Sequence, residues 1–455
     1  MTQDIVLICL DSVRKDVFDD AAVRTQDLAD VSFDNCRAPS SWSAPSHASM
    51  VSGLLPSEHE VTTHSRSFDS LPREDTLFDD LDGYRTVGVS GNVYAGPTYG
   101  FDRFFDSFFV VNRENRFPRA LSPTADGYDM SVSGLSSFLA DALADDRTVK
   151  SVLNGFSAFL DSATDVGPRT FDEGAKPGLR LAREELERAD RPTFVFLNLM
   201  EGHIPYRPVR YLDADLYDVP DGWTSDEKGV WELFDEEYDE RYWDRRDQLY
   251  RATVDYLDRR IAAFVDSVDE ETTVVVTADH GDNLGTAVDG GLANHKSSLS
   301  EGVLHVPFHI VNAPDECEQT GAHLSQLAIP ELITGLSDGR VPDVTSDRIV
   351  AELGGMSAGP DPDGDDEYYD RAIRCAYDGT EKVVWDSLGE CRKYRIAPTT
   401  DNYQEQVGGP DRPPSWATDA FGTDLTAFKS AVAEDGDDVD VDASTAQRLE
   451  ELGYL

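Results

Sequence analysis

Lysine is scarce in this chain. Among 455 residues it occurs only at positions 15, 150, 176, 228, 296, 382, 393 and 429, and the rest of the basic charge is arginine. Basic residues of both kinds number 40 against 88 acidic ones, for a formal net charge of −48. That imbalance argues against nonspecific attachment to nucleic acid, where Lys and Arg supply the affinity by neutralising phosphates. In dilute buffer such a surface repels itself and weakens the compact state. At about 1 M salt the Debye length falls to roughly 3 Å and the repulsion is screened. The composition therefore predicts a protein of a high-salt cytoplasm. Cysteine is also sparse: Cys9, Cys36, Cys317, Cys375 and Cys391 are odd in number, widely spaced and without a CxxC pair. Neither a disulfide framework nor a zinc site is suggested. Long apolar runs are missing altogether, and none approaches the ~18–20 residues of a membrane span. The run Ile5 to Leu10 comes after the acidic Asp4 and is too short for a secretory leader, so a cytoplasmic location is expected.

What the chain does have is a series of short apolar runs: Ile5–Leu10, Thr86–Val89, Thr193–Leu199, Thr272–Thr277 and Val306–Val311. Continuous apolar runs of this length suit strands buried on both faces of a parallel sheet. Helical spacing lies between them. Over Asp247–Val268 the residues Leu249, Ala252, Val254, Leu257, Ile261, Phe264 and Val265 recur on one side. The alternation predicts an α/β fold, a large and mostly parallel sheet with helices on both faces. Residues 107–191 read as a helical insertion, and Leu212–Arg246 reads as solvated surface, with a lid or rim as the alternative. A composition shift near 341–347 precedes strand-like pieces at Ala372–Tyr377, Lys382–Trp385 and Lys393–Ile396, then an acidic loop at Asp435–Asp442 and a last short helix, Ser444–Leu452, capped by Ser444. A single core stops growing at roughly 250–300 residues. A catalytic domain over 1–345 and a small C-terminal α+β subdomain over 346–455 are therefore expected.

In open α/β sheets ligands bind beyond the carboxyl ends of the strands. Asp11 ends the first run, His203 comes after the third within Glu201-Gly202-His203-Ile204-Pro205-Tyr206, and Asp279-His280-Gly281-Asp282 ends the fourth. One such residue is ordinarily a turn or cap. Three strands delivering carboxylate and imidazole groups to one edge suit a divalent cation such as Ca²⁺, Mg²⁺ or Mn²⁺. In Ser43-Ala44-Pro45-Ser46-His47, Pro45 fits the first turn of a helix and Gly53 its end, which puts Ser43 just ahead of a helix N-terminus. Backbone N–H groups there favour an anion, so the hydroxyl is placed to attack an anionic ester; by itself the segment is simply an N-capping serine.

Together these segments resemble the sulfatase family of the alkaline phosphatase superfamily. The family's first strand ends in Leu-Asp-Asp, here Leu10-Asp11-Ser12. Its signature Cys/Ser-x-Pro-Ser-Arg is similar to Ser43-Ala44-Pro45-Ser46-His47. Gly-Tyr-x-Thr is met by Gly83-Tyr84-Arg85-Thr86, His-x-Pro-Tyr by His203-Ile204-Pro205-Tyr206, and Thr-x-Asp-His-Gly by Thr277-Ala278-Asp279-His280-Gly281. Lys-x-Ser-Leu-Tyr-Glu is met by Lys296-Ser297-Ser298-Leu299-Ser300-Glu301. The resemblance covers residues 4 to about 312, in family order, and implies a high-salt-adapted, archaeal-type member with an alkaline-phosphatase-like sheet.

The resemblance further implies one divalent metal, Ca²⁺ foremost with Mn²⁺ or Mg²⁺ as alternatives, held by Asp11, Asp279 and His280 with the side chain of residue 43. In the family that residue is oxidised to formylglycine, whose hydrate attacks sulfur. His203 and Lys296 would contact the sulfate or assist the leaving oxygen, and Asn92 would stand on the leaving-group side. The expected substrate is a small-molecule or carbohydrate sulfate ester. Three departures stand out: His47 in place of the arginine that orients residue 43, Ser12 in place of a second aspartate, and Asn92 about where many members have lysine. His295 precedes Lys296, and either could face the metal. The nucleophile is thus formylglycine or a plain Ser43 alkoxide. A phosphomonoester or phosphodiester hydrolase or phosphotransferase on the same site is the second reading, and an inactive binding module of this fold the third. His59 and His64 read as exposed-loop residues, and His305, His309 and His323 receive no role.

Overall fold

The computed structural model describes residues 3–123, 128, 132–163, 171–227, 239–286, 288–295, 297–317, 319–356, 366–397, 403–434, 439, 441, 445–446 and 448–449. Lys296, most of the expected acidic loop Asp435–Asp442 and Ser444 with much of the last helix lie outside them. Seven strands form the main sheet: β1 (Ile5–Leu10), β2 (Val31–Ser32), β3 (Arg85–Ser90), β4 (Ser107–Val110), β5 (Thr193–Leu199), β6 (Thr273–Ala278) and β7 (Phe308–Val311). Their order is β2-β7-β6-β1-β5-β3-β4. β1 lies parallel to both β5 and β6, β3 is parallel to β5 and β4, and β7 runs antiparallel to β6 and β2. Every residue of β1 is fully buried, as a strand with neighbours on both edges and helices on both faces must be.

Side-chain alternation along β5 assigns the two faces. Phe196 and Asn198 meet His47 on helix α1 (Ser43–Ser52). Leu197 and Leu199 point to the other face, where they approach Gly178 of helix α4 (Ala175–Arg188), whose missing side chain lets α4 lie close. Directly before α4 in the chain come helices α2 (Val132–Ala144) and α3 (Thr148–Ala163). A long helix comes after it, α5 (Glu240–Val265), packed beside α4.

Two regions differ from expectation. The stretch 107–191 is not all insertion. Ser107-Phe108-Phe109-Val110, rich in aromatic residues, becomes the edge strand β4, fastened by Asp106, whose carboxylate accepts from Thr86 N (3.0 Å) while its own N–H donates to Thr86 Oγ1 (2.9 Å). Helix α4 belongs to the sheet's cover as well. Only α2 and α3 form a separate hairpin. In 212–246, Trp223, Tyr242, Trp243 and Arg246 are buried rather than solvated. Helix α5 starts seven residues before the expected Asp247, because the Asp239 carboxylate accepts from Arg241 N and Tyr242 N and so caps it there.

Beyond the main sheet, β8 (Arg348–Leu353), β9 (Ile373–Asp378), β10 (Glu381–Asp386), β11 (Cys391–Ile396) and β12 (Gln404–Gly408) form an antiparallel meander in sequence order. This C-terminal sheet docks through buried ion pairs. Glu301 accepts from Arg37 (2.8 Å) and, across the junction, from Lys382 (2.8 Å) and Tyr377 (2.7 Å), while within the C-terminal sheet Glu352 pairs with Arg374 (2.8 Å) on the neighbouring strand. No described helix is long and apolar enough to cross a membrane.

Candidate active site at the carboxyl edge of the main sheet

Strand register builds the site. Leu10 of β1 is level with Leu199 of β5 on one side and with Ala278 of β6 on the other. The next residues along β1 and β6, Asp11 and Asp279, therefore emerge side by side. One oxygen from each carboxylate and one nitrogen of His280 lie within 4.8 Å of one another, all three side chains fully buried. The backbone around them is close-packed too. A Cβ on Gly202, which leads into His203, would stand 2.4 Å from the Asp11 carbonyl oxygen.

Each group is held by specific partners. Asn92 Nδ2 donates to Asp11 Oδ2 (2.6 Å), and Ser12 Oγ donates to Asp11 Oδ1 (3.0 Å). Asp279 Oδ1 accepts from Ser12 N (3.0 Å) and His280 N (2.9 Å). Ser12 sits at a φ of 59°, the left-handed conformation that turns its N–H toward Asp279. His280 Nδ1 donates to the Gly281 carbonyl (2.8 Å); a carbonyl only accepts, so that nitrogen carries a proton and Nε2 is the ring nitrogen left facing the carboxylates. The Ser43 hydroxyl lies 3.4 Å from that Nε2. Helix α1 begins at Ser43 itself, with Trp42 as N-cap, rather than one residue later, and ends at Gly53 with φ 74°.

The electrostatics point to a missing positive charge. Burial, then the neighbouring Asp279, pushes the Asp11 carboxyl up to about 7. Burial raises Asp279 also, but His280, His47 and two backbone N–H bonds outweigh it and leave the group lowered. Asp279 Oδ2 is buried and accepts no hydrogen bond. Two carboxylates, one of them with an unbonded oxygen, and an imidazole nitrogen are a donor set for a divalent cation. Asp11, Asp279 and His280 could hold it, with residue 43 alongside.

His47 Nδ1 donates to the Ser43 carbonyl (2.7 Å), and its Nε2 accepts from Asn198 Nδ2 (3.3 Å). His47 Nδ1 is also 3.9 Å from Asp279 Oδ2, so the residue replacing arginine braces the start of α1 against the triad. Asn92 is placed against the triad, with its Oδ1 accepting from Tyr94 N (2.8 Å). His203 Nδ1 donates to the Ile204 carbonyl (2.6 Å), and burial lowers its pKa to about 4. The His295 ring lies 4.5 Å from that of His280 and 5.5 Å from that of His203, so His295 is brought to the site. Lys296 lies outside the described residues. His59 is a correction: it is buried under α1, donating to Ser49 Oγ (3.0 Å), where its solvent-free pocket lowers it to about 3. His64 is partly buried and pairs with Asp370 (3.0 Å).

Sequence reasoning missed the support behind His295. Arg246 Nη2 donates to Asp282 Oδ2 (2.6 Å) and to Asn294 Oδ1 (2.9 Å), and Asp282 Oδ1 stands 3.6 Å from His295 Nδ1. A cue was present. Arg246 shares the buried stripe of α5 with Leu249, Tyr250 and Leu257, where a charged side chain needs an internal partner.

A strand-end triad facing a hydroxyl at a helix start, on a mostly parallel sheet, is the plan of an alkaline-phosphatase-type fold. The sulfatase family model matches residues 3–326, and the chain belongs to that family. Solved structures of the same fold include a protein in complex with its substrate D-glucosamine-2-N,6-O-disulfate (TM-score 0.58, 13% identity, 87% of this chain and 91% of that one). They also include a 2-O GAG sulfatase (0.56, 15%, 87% and 85%) and the phosphonate monoester hydrolase of Agrobacterium radiobacter (0.57, 15%, 95% and 94%). No curated protein sequence matches the chain.

Proposed function

We propose that this protein hydrolyses sulfate esters, with residue 43 as the nucleophile. The observation that carries the reading is the Ser43 hydroxyl, 3.4 Å from His280 Nε2 at the start of α1 and beside the Asp11–Asp279–His280 triad. A divalent cation in that triad would supply Lewis acidity and offset charge on the transferring group. The chain's own residues do the rest. Asn92 and Ser12 fix the Asp11 carboxylate, the Gly281 carbonyl fixes the His280 tautomer, and His47 anchors the first turn of α1. By resemblance to the family, His203 and Lys296 meet the sulfate or the leaving oxygen, and His295 stands close enough to share that task. The substrate class is taken from the solved relatives, one of which binds a disulfated glucosamine: a sulfated carbohydrate or small metabolite. Residues 1–345 would be the catalytic domain and 346–455 a smaller companion that borders it.

Residue 43 acts either as formylglycine or as serine. The family's arginine is His47 here, and its contact with the residue 43 carbonyl supports a fixed backbone in either case. The mass of the peptide containing Ser43 decides between them, since formylglycine has two hydrogens fewer. A phosphate or phosphonate ester hydrolase is the second reading, favoured by the likeness to a phosphonate monoester hydrolase. Parallel assays of 4-nitrophenyl sulfate, 4-nitrophenyl phosphate and bis(4-nitrophenyl) phosphate, in high salt with Ca²⁺ or Mn²⁺, rank the two. Turnover of sulfate first is the expected result. No turnover of any ester, with no metal bound, would leave an inactive module of the same fold.

A further inference from the structure

Helix α3 is built inside out. Its polar residues Ser151, Asn154 and Ser157 are buried, while Val149, Val152, Leu153, Phe156 and Phe159 are exposed. Asn154 is the anchor: its Oδ1 accepts from Arg116 N (3.1 Å) and Phe117 N (3.0 Å), and its Nδ2 donates to the carbonyls of Phe117 and Leu121 (both 3.1 Å). The outward stripe holds Val149, Val152, Leu153, Phe156 and Phe159, spaced at three and four residues as one helix face requires. Val149 is 73% exposed and Phe156 54%. Leu139 and Leu143 of the packed neighbour α2 are exposed as well. Seven of the twelve large apolar side chains facing solvent among the described residues thus sit on one hairpin.

Together they expose on the order of 600–700 Å² of apolar surface, taking ~150–220 Å² for a whole side chain. That is more than the roughly 300–600 Å² of the largest patch on an ordinary monomer. It approaches the ~800 Å² that each partner gives to a stable interface. The stripe is also self-complementary. If two copies of α3 pack antiparallel about a twofold axis at position 154, Val149 faces the partner copy's position 159, a phenylalanine, and Val152 faces position 156, also a phenylalanine. Small meets large at both places, as an interdigitated helix pair requires. A lipid surface fits less well. Interfacial helices are rich in Lys and Arg on their polar face, while 132–163 holds only Arg147 and Lys150, in a chain of net charge −48 that anionic headgroups repel.

We infer that this hairpin is the interface of a homodimer, formed by antiparallel pairing of α3 with its copy. High salt strengthens the pairing, because it screens the acidic surfaces outside the stripe and leaves the apolar contact intact. The test is sedimentation of the full-length protein in multimolar KCl across a concentration series. The wild type should sediment at twice the chain mass. Phe156→Asp should raise the dimer dissociation constant by about thirtyfold or more, the effect of a central interface residue. Its thermal unfolding should stay cooperative, since the position is exposed. Val152→Phe alone sets Phe against Phe and weakens the dimer; combining it with Phe156→Val restores the small-against-large pairing and should recover it. A wild type that is monomeric throughout, or a dimer indifferent to Phe156→Asp, would overturn the inference. So would a monomer that floats with phosphatidylglycerol vesicles, which would assign the hairpin to a lipid surface.

Discussion

Buried carboxylates occur in two settings in this molecule. Where the C-terminal sheet docks, Glu301 is flanked by Arg37 and Lys382, and burial, which alone would raise it, is outweighed so that it is held far below the usual carboxylate range. Glu352 has Arg374. At the carboxyl edge of the main sheet, Asp11 and Asp279 share a fully buried space with imidazoles and amides but no lysine or arginine side chain within ion-pair distance among the described residues, and Asp11 is driven up to about 7. The same chemical group is a structural clamp in one place and an unmet demand for positive charge in the other. The difference lies in the partners each carboxylate keeps, since burial is nearly complete at both.

Four measurements bear on this difference. Turnover should respond most: Ser43→Ala should lower it by about 10³-fold or more with the unfolding transition unchanged, and retained turnover removes Ser43 from the chemistry. Next come the two carboxylates themselves. Asp11→Asn should abolish divalent-cation binding, measured by titration calorimetry, while leaving the apo protein's stability equal or higher, because burial and the neighbouring Asp279 already drive this carboxyl up. Glu301→Gln should instead cost about 3–5 kcal/mol in denaturant unfolding, because it strands two buried cations. If both variants destabilise alike, the distinction fails.

The third test is pH. The Glu301 carboxyl is lowered from its ordinary value of 4.5, so its stabilisation is fully present above that value and drains away as pH falls below it toward the folded pKa. The stability gap between wild type and Glu301→Gln should therefore narrow as pH is lowered from 6 to 3. Salt should act most mildly. Multimolar KCl should raise the wild-type unfolding midpoint by screening exposed acids, yet leave the Glu301→Gln deficit within about 1 kcal/mol of its low-salt value, since buried pairs are screened little. An unchanged wild-type midpoint would sink the high-salt adaptation read from the composition.

Much of the sheet was legible because buried parallel strands are continuous apolar runs. Ile5–Leu10 and Thr193–Leu199 match their strands residue for residue, and Asp11 and His203 stood out as polar groups placed just past the carboxyl ends of those runs. Asp279, His280, Ser43 and Asn92 were likewise brought to one place. Edge strand β4 was missed because a half-buried edge of four residues leaves no periodic signal. His59 was misread because its burial depends on Ser49, ten residues earlier on another helix. The Arg246–Asp282–His295 support was invisible for a related reason: its members come from three separate segments of the chain, and only the folded sheet edge says that they meet.

The contact between Ser43 and His280 spans 237 positions of the chain. In time rather than distance, that is a delay. At ~5–20 residues per second of synthesis, Ser43 has existed for roughly 12–50 s before His280 is even made. Through that interval the signature segment has no triad to enclose it, and it is open to any enzyme that acts on the unfolded chain. The β1–β6 register that later buries the residue thus also sets the period in which its chemistry can still be changed.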